Sequence, residues 1–149
     1  MKTRIKWIDG ASFVGEAGSG HAVVIDGAPE HGGRNTAMRP MEMLLTGAAA
    51  CTAFDVVSFL KKGRHAVTGV AVDVEAERAV TTPRVFTALH YVYTVAGHGL
   101  DPKQVERAVV LSKEKYCSAT TMLARTATIT YEIVLVEGDG IPDPATSGR

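Results

Sequence analysis

From Pro40 to Gly63 the chain reads PMEMLLTGAAACTAFDVVSFLKKG, and its apolar residues do not keep to one stripe. Met41, Leu44, Leu45, Ala48, Ala49, Ala50, Val56, Val57, Phe59 and Leu60 wrap nearly the whole circumference of a helix. That pattern belongs to a helix buried at the centre of a fold, not one laid on its surface. Pro40 suits the first helical position, where its fixed φ is already helical and its missing N–H costs nothing, and Glu42 complements the positive helix end. Lys61 and Lys62 favour the negative end, and Gly63 suits the left-handed residue that follows a helix. One sheet can cover only one side of such a helix, so a second copy of the chain is expected to cover the other.

The flanking segments supply the sheets. TRIKWIDGASFVGEAG alternates, with Ile5, Trp7 and Phe13 expected to point inward and Asp9-Gly10 marking a tight turn. HAVVIDG adds a third short strand, and residues 27–39, rich in Gly, Pro and charge, are expected to form a mobile surface loop of the kind that often carries function. After the helix, TGVAVDVEAERAV and RVFTALHYVYTVAG form two strands joined around Thr82-Pro83, with a bulge expected where the alternation slips near Leu89-His90. DPKQVERAVVLSKEKY opens a helix with Asp101 as N-cap, Pro102 at the first position and Gln104 as reciprocal partner. A short helix, SATTMLART, follows Cys117, and ATITYEIVLVE closes the order as a last strand. The class is therefore α+β with mainly antiparallel pairing, one domain over residues 1–137, and residues 138–149 form a disordered tail.

At 149 residues, with 16 basic and 16 acidic side chains and 46% hydrophobic residues, the composition recommends neither nucleic acid nor an anionic membrane as partner. The N-terminus lacks a signal-peptide core, and the uninterrupted apolar runs fall short of the roughly 18 to 20 residues that span a bilayer, so a cytoplasmic location is expected. The five histidines show no metal-ligand spacing, and neither a metal nor another cofactor is expected.

Two cysteines carry the chemistry that remains, Cys51 and Cys117, with no CxxC and no second pair for a disulfide framework. Read by itself, Cys51 among alanines is a packing residue. Cys117 falls where one helical pattern ends and the next begins, near free backbone N–H groups that lower a thiol's pKa. If the two meet, one thiolate can attack the O–O bond of a peroxide to give a sulfenic acid, and the other can condense with it to a disulfide. Asp55, one turn after Cys51, would raise that thiol's pKa if it faced the sulfur; an exposed or capping role is expected instead.

The sequence RPMEMLLTGAAACTAFDVVSFLKKGR, followed by strands and then LSKEKYCSATTML, resembles the OsmC/Ohr family, most closely its YhfA-like branch, over residues 1–137. The resemblance implies an OsmC-like fold: mainly antiparallel sheets flanking long central helices in an intertwined homodimer, with the active sites at the interface. It also implies thiol-dependent reduction of organic hydroperoxides, and less well of hydrogen peroxide, with an external dithiol as reductant. Cys51 in GAAAC matches the peroxide-attacking cysteine, and Cys117 in EKYCS matches the resolving one. The family's acid directly follows the helix-opening proline. Here Met41 stands there and the acid is Glu42, about 100° further round the helix. The family's hairpin arginine has no counterpart in SFVGEAG, which leaves Arg34 or Arg39 of the loop to hold the thiolate. Met41, Leu44, Leu45 and Met122 are the expected apolar lining of the substrate pocket. The alternative on the same scaffold is a weakly catalytic or non-catalytic protein that holds a hydrophobic small molecule at the dimer interface.

Overall fold

The computed structural model describes residues 1–142 and has the expected order of elements: strands β1 (Thr3–Asp9), β2 (Ser12–Ala17) and β3 (Ala22–Ile25), helix α1 (Pro40–Lys62), strands β4 (Ala66–Arg78) and β5 (Phe86–His98), helices α2 (Pro102–Leu111) and α3 (Ser118–Leu123), and strand β6 (Thr128–Glu137). The strands form two separate sheets, β1-β2-β3 and β4-β5-β6. The chain divides into two compact units, residues 1–46 and residue 47 onward, with α1 starting in the first and running on into the second.

In the first unit β2 is the central strand, antiparallel to both neighbours, with Trp7 opposite Phe13 and Val14 opposite Val24. Gly10 makes the β1–β2 turn at φ +50°, a left-handed conformation that a side chain would strain. Ile5 and Trp7 do not point into a core as expected: they are 55% and 68% exposed, and every residue of β1 is exposed. The alternation is present, but the chain itself does not cover the strand.

The expected mobile loop is instead fastened by a residue the sequence did not single out. The buried Asp26 carboxylate accepts hydrogen bonds from Ser12 Oγ (2.9 Å), Gly27 N–H (2.8 Å), Arg34 N–H (3.1 Å), Thr36 N–H (3.0 Å) and Thr36 Oγ (2.8 Å). The Thr36 donors, with smaller help from Gly27 and Ser12, hold this carboxyl well below the usual range against the opposing effect of burial. The loop folds back so tightly that a Cβ on Gly33 would lie 1.9 Å from the Gly27 carbonyl oxygen, so only glycine fits there.

In the second unit α1 buries a single i, i+4 stripe, Ala48, Thr52, Val56 and Leu60, while Phe54 on another face is 75% exposed. By length and composition α1 could cross a bilayer, contrary to the reading of the apolar runs, but its stripe is buried in protein. β5 lies between β4, its antiparallel partner, and β6, its parallel partner. The parallel pairing follows from the connection: α2 and α3 carry the chain over before β6 returns. Leu89, Tyr91, Tyr93 and Val95 form the buried face of β5. The bulge expected at Leu89-His90 occurs two residues earlier, at Thr87, because Arg78 pairs with Phe86 and Glu77 with Ala88. Residues 138–140, assigned to a disordered tail, are hydrogen-bonded to the sheet: Gly138 N–H donates to Gly97 O at 3.0 Å, and Thr68 Oγ donates to Gly138 O at 2.7 Å. The rest of that assignment, residues 143–149, lies outside the described residues.

Candidate functional site

The geometry around the cysteines begins with an irregular turn. α2 opens with the expected Pro102 in its first turn and the Asp101 carboxylate capping Lys103 N–H at 2.9 Å, while the Gln104 side chain makes no returning bond to Asp101 among the described residues. It buries Val105, Ala108 and Val109, then widens at Ser112–Tyr116 into a π turn, a feature that recurs at functional sites. The turn ends at Cys117, which adopts an extended conformation and caps α3. Cys117 is fully buried, and its Sγ accepts from Thr120 N–H (3.4 Å) and Thr120 Oγ (3.0 Å) and lies 4.0 Å from the carbonyl oxygen of Ala48 on α1.

Cys51 is half-buried on α1, directly after Ala48, Ala49 and Ala50, and both thiols are free. Burial pushes the Cys51 thiol up, and the adjacent Cys117 adds to the rise. A hydrogen bond from Ala119 N–H opposes it, and the charge of Asp55 adds a smaller increment. The two cysteines, 66 residues apart in sequence, thus meet at the start of α3. Asp55 is neither simply exposed nor a cap, as expected of it: it is half-buried, and its carboxylate accepts from Ser112 Oγ at 2.8 Å.

A buried polar chain runs behind the thiols. Thr52 Oγ shares hydrogen bonds of 2.9 Å with Tyr93 Oη and with Ser112 Oγ, and Ser112 connects to Asp55. Burial pushes the Tyr93 phenol up to about 12, against the lowering effect of its bond to Thr52. This chain ties α1, β5 and the π turn together beside Cys51. Sequence reading missed Thr52, Tyr93, Ser112 and Thr120. The available signal was a hydroxyl residue on an apolar helix face, Thr52 on α1 and Ser112 at the end of α2.

The other expected site residues lie in the first unit, apart from Met122. The Glu42 carboxylate accepts from Arg39 N–H at 2.9 Å, the returning half of a capping box, and its second oxygen lies 4.0 Å from Arg39 Nε. Arg39 Nε is buried and makes no hydrogen bond among the described residues. Arg34 pairs its guanidinium with Asp9. Met41 and Leu45 are half-buried on the first turns of α1, Leu44 is 48% exposed, and Met122 on α3 is 66% exposed. A cavity of about 240 Å³ at the far end of α1, lined by Phe59, Leu60, His65, Arg107 and Leu111 among others, includes neither cysteine. Among the described residues no three His, Cys, Asp or Glu side chains gather as a metal site would require.

The OsmC-like protein family profile matches residues 32–132, a span that contains both cysteines. The protein YhfA of Escherichia coli (strain K12) is 43% identical over 136 residues, 90% of this chain and 98% of its own. A structure solved by structural genomics is 40% identical, with a TM-score of 0.84 over 93% of this chain and 100% of that one. An organic hydroperoxide resistance protein OsmC from Legionella pneumophila shares the fold, with a TM-score of 0.65 at 18% identity over 90% of this chain and 97% of its own. A profile match across most of the length, together with a relative this similar, establishes that the chain belongs to the OsmC-like family.

Proposed function

We propose that this protein is a thiol-dependent peroxidase acting on organic hydroperoxides and, less well, on hydrogen peroxide. The observation that carries the reading is the meeting of Cys51 and Cys117 at the start of α3. The Cys51 thiolate attacks the terminal oxygen of the hydroperoxide, the O–O bond breaks, and the alkoxide takes up a proton to leave as the alcohol. Cys51 is then a sulfenic acid. Cys117 attacks it, a disulfide forms and water leaves, and an external dithiol restores both thiols. OsmC/Ohr proteins are generally dimeric and act on hydroperoxides, and Legionella pneumophila supplies a structural neighbour named for organic hydroperoxide resistance.

The raised pKa of Cys51 calls for a cation to hold its thiolate. Arg39 is favoured over Arg34, because Arg39 Nε is buried without an acceptor among the described residues whereas Arg34 is engaged by Asp9. Glu42 orients Arg39 through the contacts of the helix cap. The working form is a cytoplasmic homodimer in which a second copy covers the exposed Phe54, Trp7, Ile5 and Ile8. Met41, Leu44, Leu45 and Met122 give the apolar lining for the alkyl group of the peroxide.

In a dithiol-coupled assay with an alkyl hydroperoxide, Cys51→Ser is expected to abolish consumption, and mass spectrometry of wild-type protein after one equivalent of oxidant is expected to find the Cys51–Cys117 disulfide. Unchanged consumption by Cys51→Ser would overturn the reading. The upward shift of Cys51 also favours a second reading, a weakly catalytic carrier of a hydrophobic molecule at the dimer interface. That reading predicts a copurifying apolar ligand which raises the melting temperature, together with negligible turnover.

A further inference from the structure

One buried polar group beside the cysteines has no role in the chemistry so far. Tyr91 is 1% exposed, and its hydroxyl oxygen has no hydrogen-bond partner among the described residues. Buried hydroxyls are ordinarily paired, since leaving one unpaired costs free energy, and an exception in a native fold calls for a reason. Its neighbour Tyr93, on the same face of β5, is fully paired through Thr52. The two rings stack at 6.1 Å with an interplanar angle of 17°, which sets the Tyr91 phenol one pleat along from the residue that follows Cys51.

The groups that act on this phenol are the Thr120 hydroxyl, Cys117 and Cys51, and burial is the largest influence, raising its pKa so that it keeps its proton. The Thr120 hydroxyl donates to Cys117 Sγ, 3.0 Å away, and although it lies close enough to influence the phenol it makes no hydrogen bond with it among the described residues. A protonated donor without an acceptor among the described residues therefore lies in the neighbourhood of Cys117 and Cys51. The reduced thiols offer it little, because sulfur is a weak acceptor. Peroxide chemistry brings a better one, the oxygen that Cys51 acquires.

We propose that Tyr91 is a catalytic hydrogen-bond donor to the hydroxyl oxygen of the Cys51 sulfenic acid, easing the departure of that oxygen when Cys117 attacks. The proposal rests on the peroxidase reading. In the step concerned, the Cys117 sulfur forms a bond to the Cys51 sulfur, and the S–O bond breaks with its electron pair going to oxygen. The hydroxyl leaves as water with the proton of the Cys117 thiol, and Tyr91 donates a hydrogen bond throughout without losing its own proton. Preorganised donors aimed at developing negative charge are a general source of rate enhancement.

Tyr91→Phe tests this with little risk to the fold, because it keeps the ring and removes only a hydroxyl that has no partner. With tert-butyl hydroperoxide in single turnover, the variant is expected to form the sulfenic acid at the wild-type rate and the disulfide about tenfold more slowly, the loss expected for one hydrogen bond. Dimedone would then trap an accumulated Cys51 sulfenic acid, while the melting temperature stays level or rises. Disulfide formation at the wild-type rate overturns the proposal, as does a lowered melting temperature with both steps slowed in parallel. If wild-type protein itself forms no sulfenic acid, the peroxidase reading falls and this one with it. If wild type cycles and Tyr91→Phe cycles equally fast, only the assignment of Tyr91 falls.

Discussion

The first unit, residues 1–46, and the second, residues 47–142, keep their order by different means. In the first, a single buried carboxylate gathers five hydrogen bonds and the loop they fasten, while β1 lies wholly exposed and Trp7 shows 68% of its surface. In the second, β5 buries Leu89, Tyr91, Tyr93 and Val95, and α1 and α2 bury Val56, Leu60, Val105 and Val109. Apolar burial is a large source of stability, and the second unit draws more on it than the first does. It is also the unit that holds both thiols. The first unit, with its apolar residues turned outward, has the surface of something meant to be covered, in keeping with the homodimer proposed above.

Substitutions can break or sharpen that contrast. The largest effect is expected from Leu89→Ala, which should cost the second unit about 2–5 kcal/mol in denaturant unfolding through the cavity it leaves. Amide exchange at Thr36 should be unchanged, and faster exchange there would mean that the two units do not hold their folds separately. Ser112→Ala should cost about 1–3 kcal/mol, because Thr52 and Asp55 each lose a partner in a part-buried setting. It should also slow disulfide formation between Cys51 and Cys117, which a stopped-flow alkylation assay would detect.

A smaller effect, confined to the first unit, is expected from acid. The Asp26 carboxyl is held below its ordinary value of about 3.9 in the fold, so the stability it contributes is fully present above about pH 4 and is lost as pH falls through the depressed folded value. Exchange of the Gly27, Arg34 and Thr36 amides should therefore accelerate only under strong acid, and Asp26→Asn should make it fast at every pH. The smallest change in fold stability is expected from Trp7→Ala, within about 0.5 kcal/mol for the second unit. Its effect should appear in sedimentation velocity, as weaker self-association, and unaltered association would remove Trp7 from the proposed interface.

The order of elements was legible because it depends on local signals: the periodicity of each run, Pro40 and Pro102 at helix starts, the Asp101 cap and the Asp9-Gly10 turn. The cysteine pair was legible only through motifs quoted together, since the distance between Cys51 and Cys117 is set by the fold. Asp26, Thr52 and Ser112 were not legible. Each is one polar residue whose partners lie up to 60 positions away, and no local pattern announces a long-range hydrogen bond. The Thr87 bulge was placed two residues off because alternation shows that a phase slips but not which residue is left unpaired. β1 misled for a different reason: alternation tells which face is apolar, not whether the same chain covers it.

The polar chain behind Cys51 also has a direction. A carboxylate can only accept, so Ser112 must spend its one proton on Asp55. The Ser112 oxygen is then left to receive from Thr52, and Thr52, its own proton committed, receives from Tyr93. Three hydroxyl dipoles in the interior are thereby aligned head to tail by one acid at the edge of the site. The orientation of Tyr93 Oη–H is governed from Asp55, on the far side of two other residues, and Asp55→Ala would remove the acceptor that sets all three rotors.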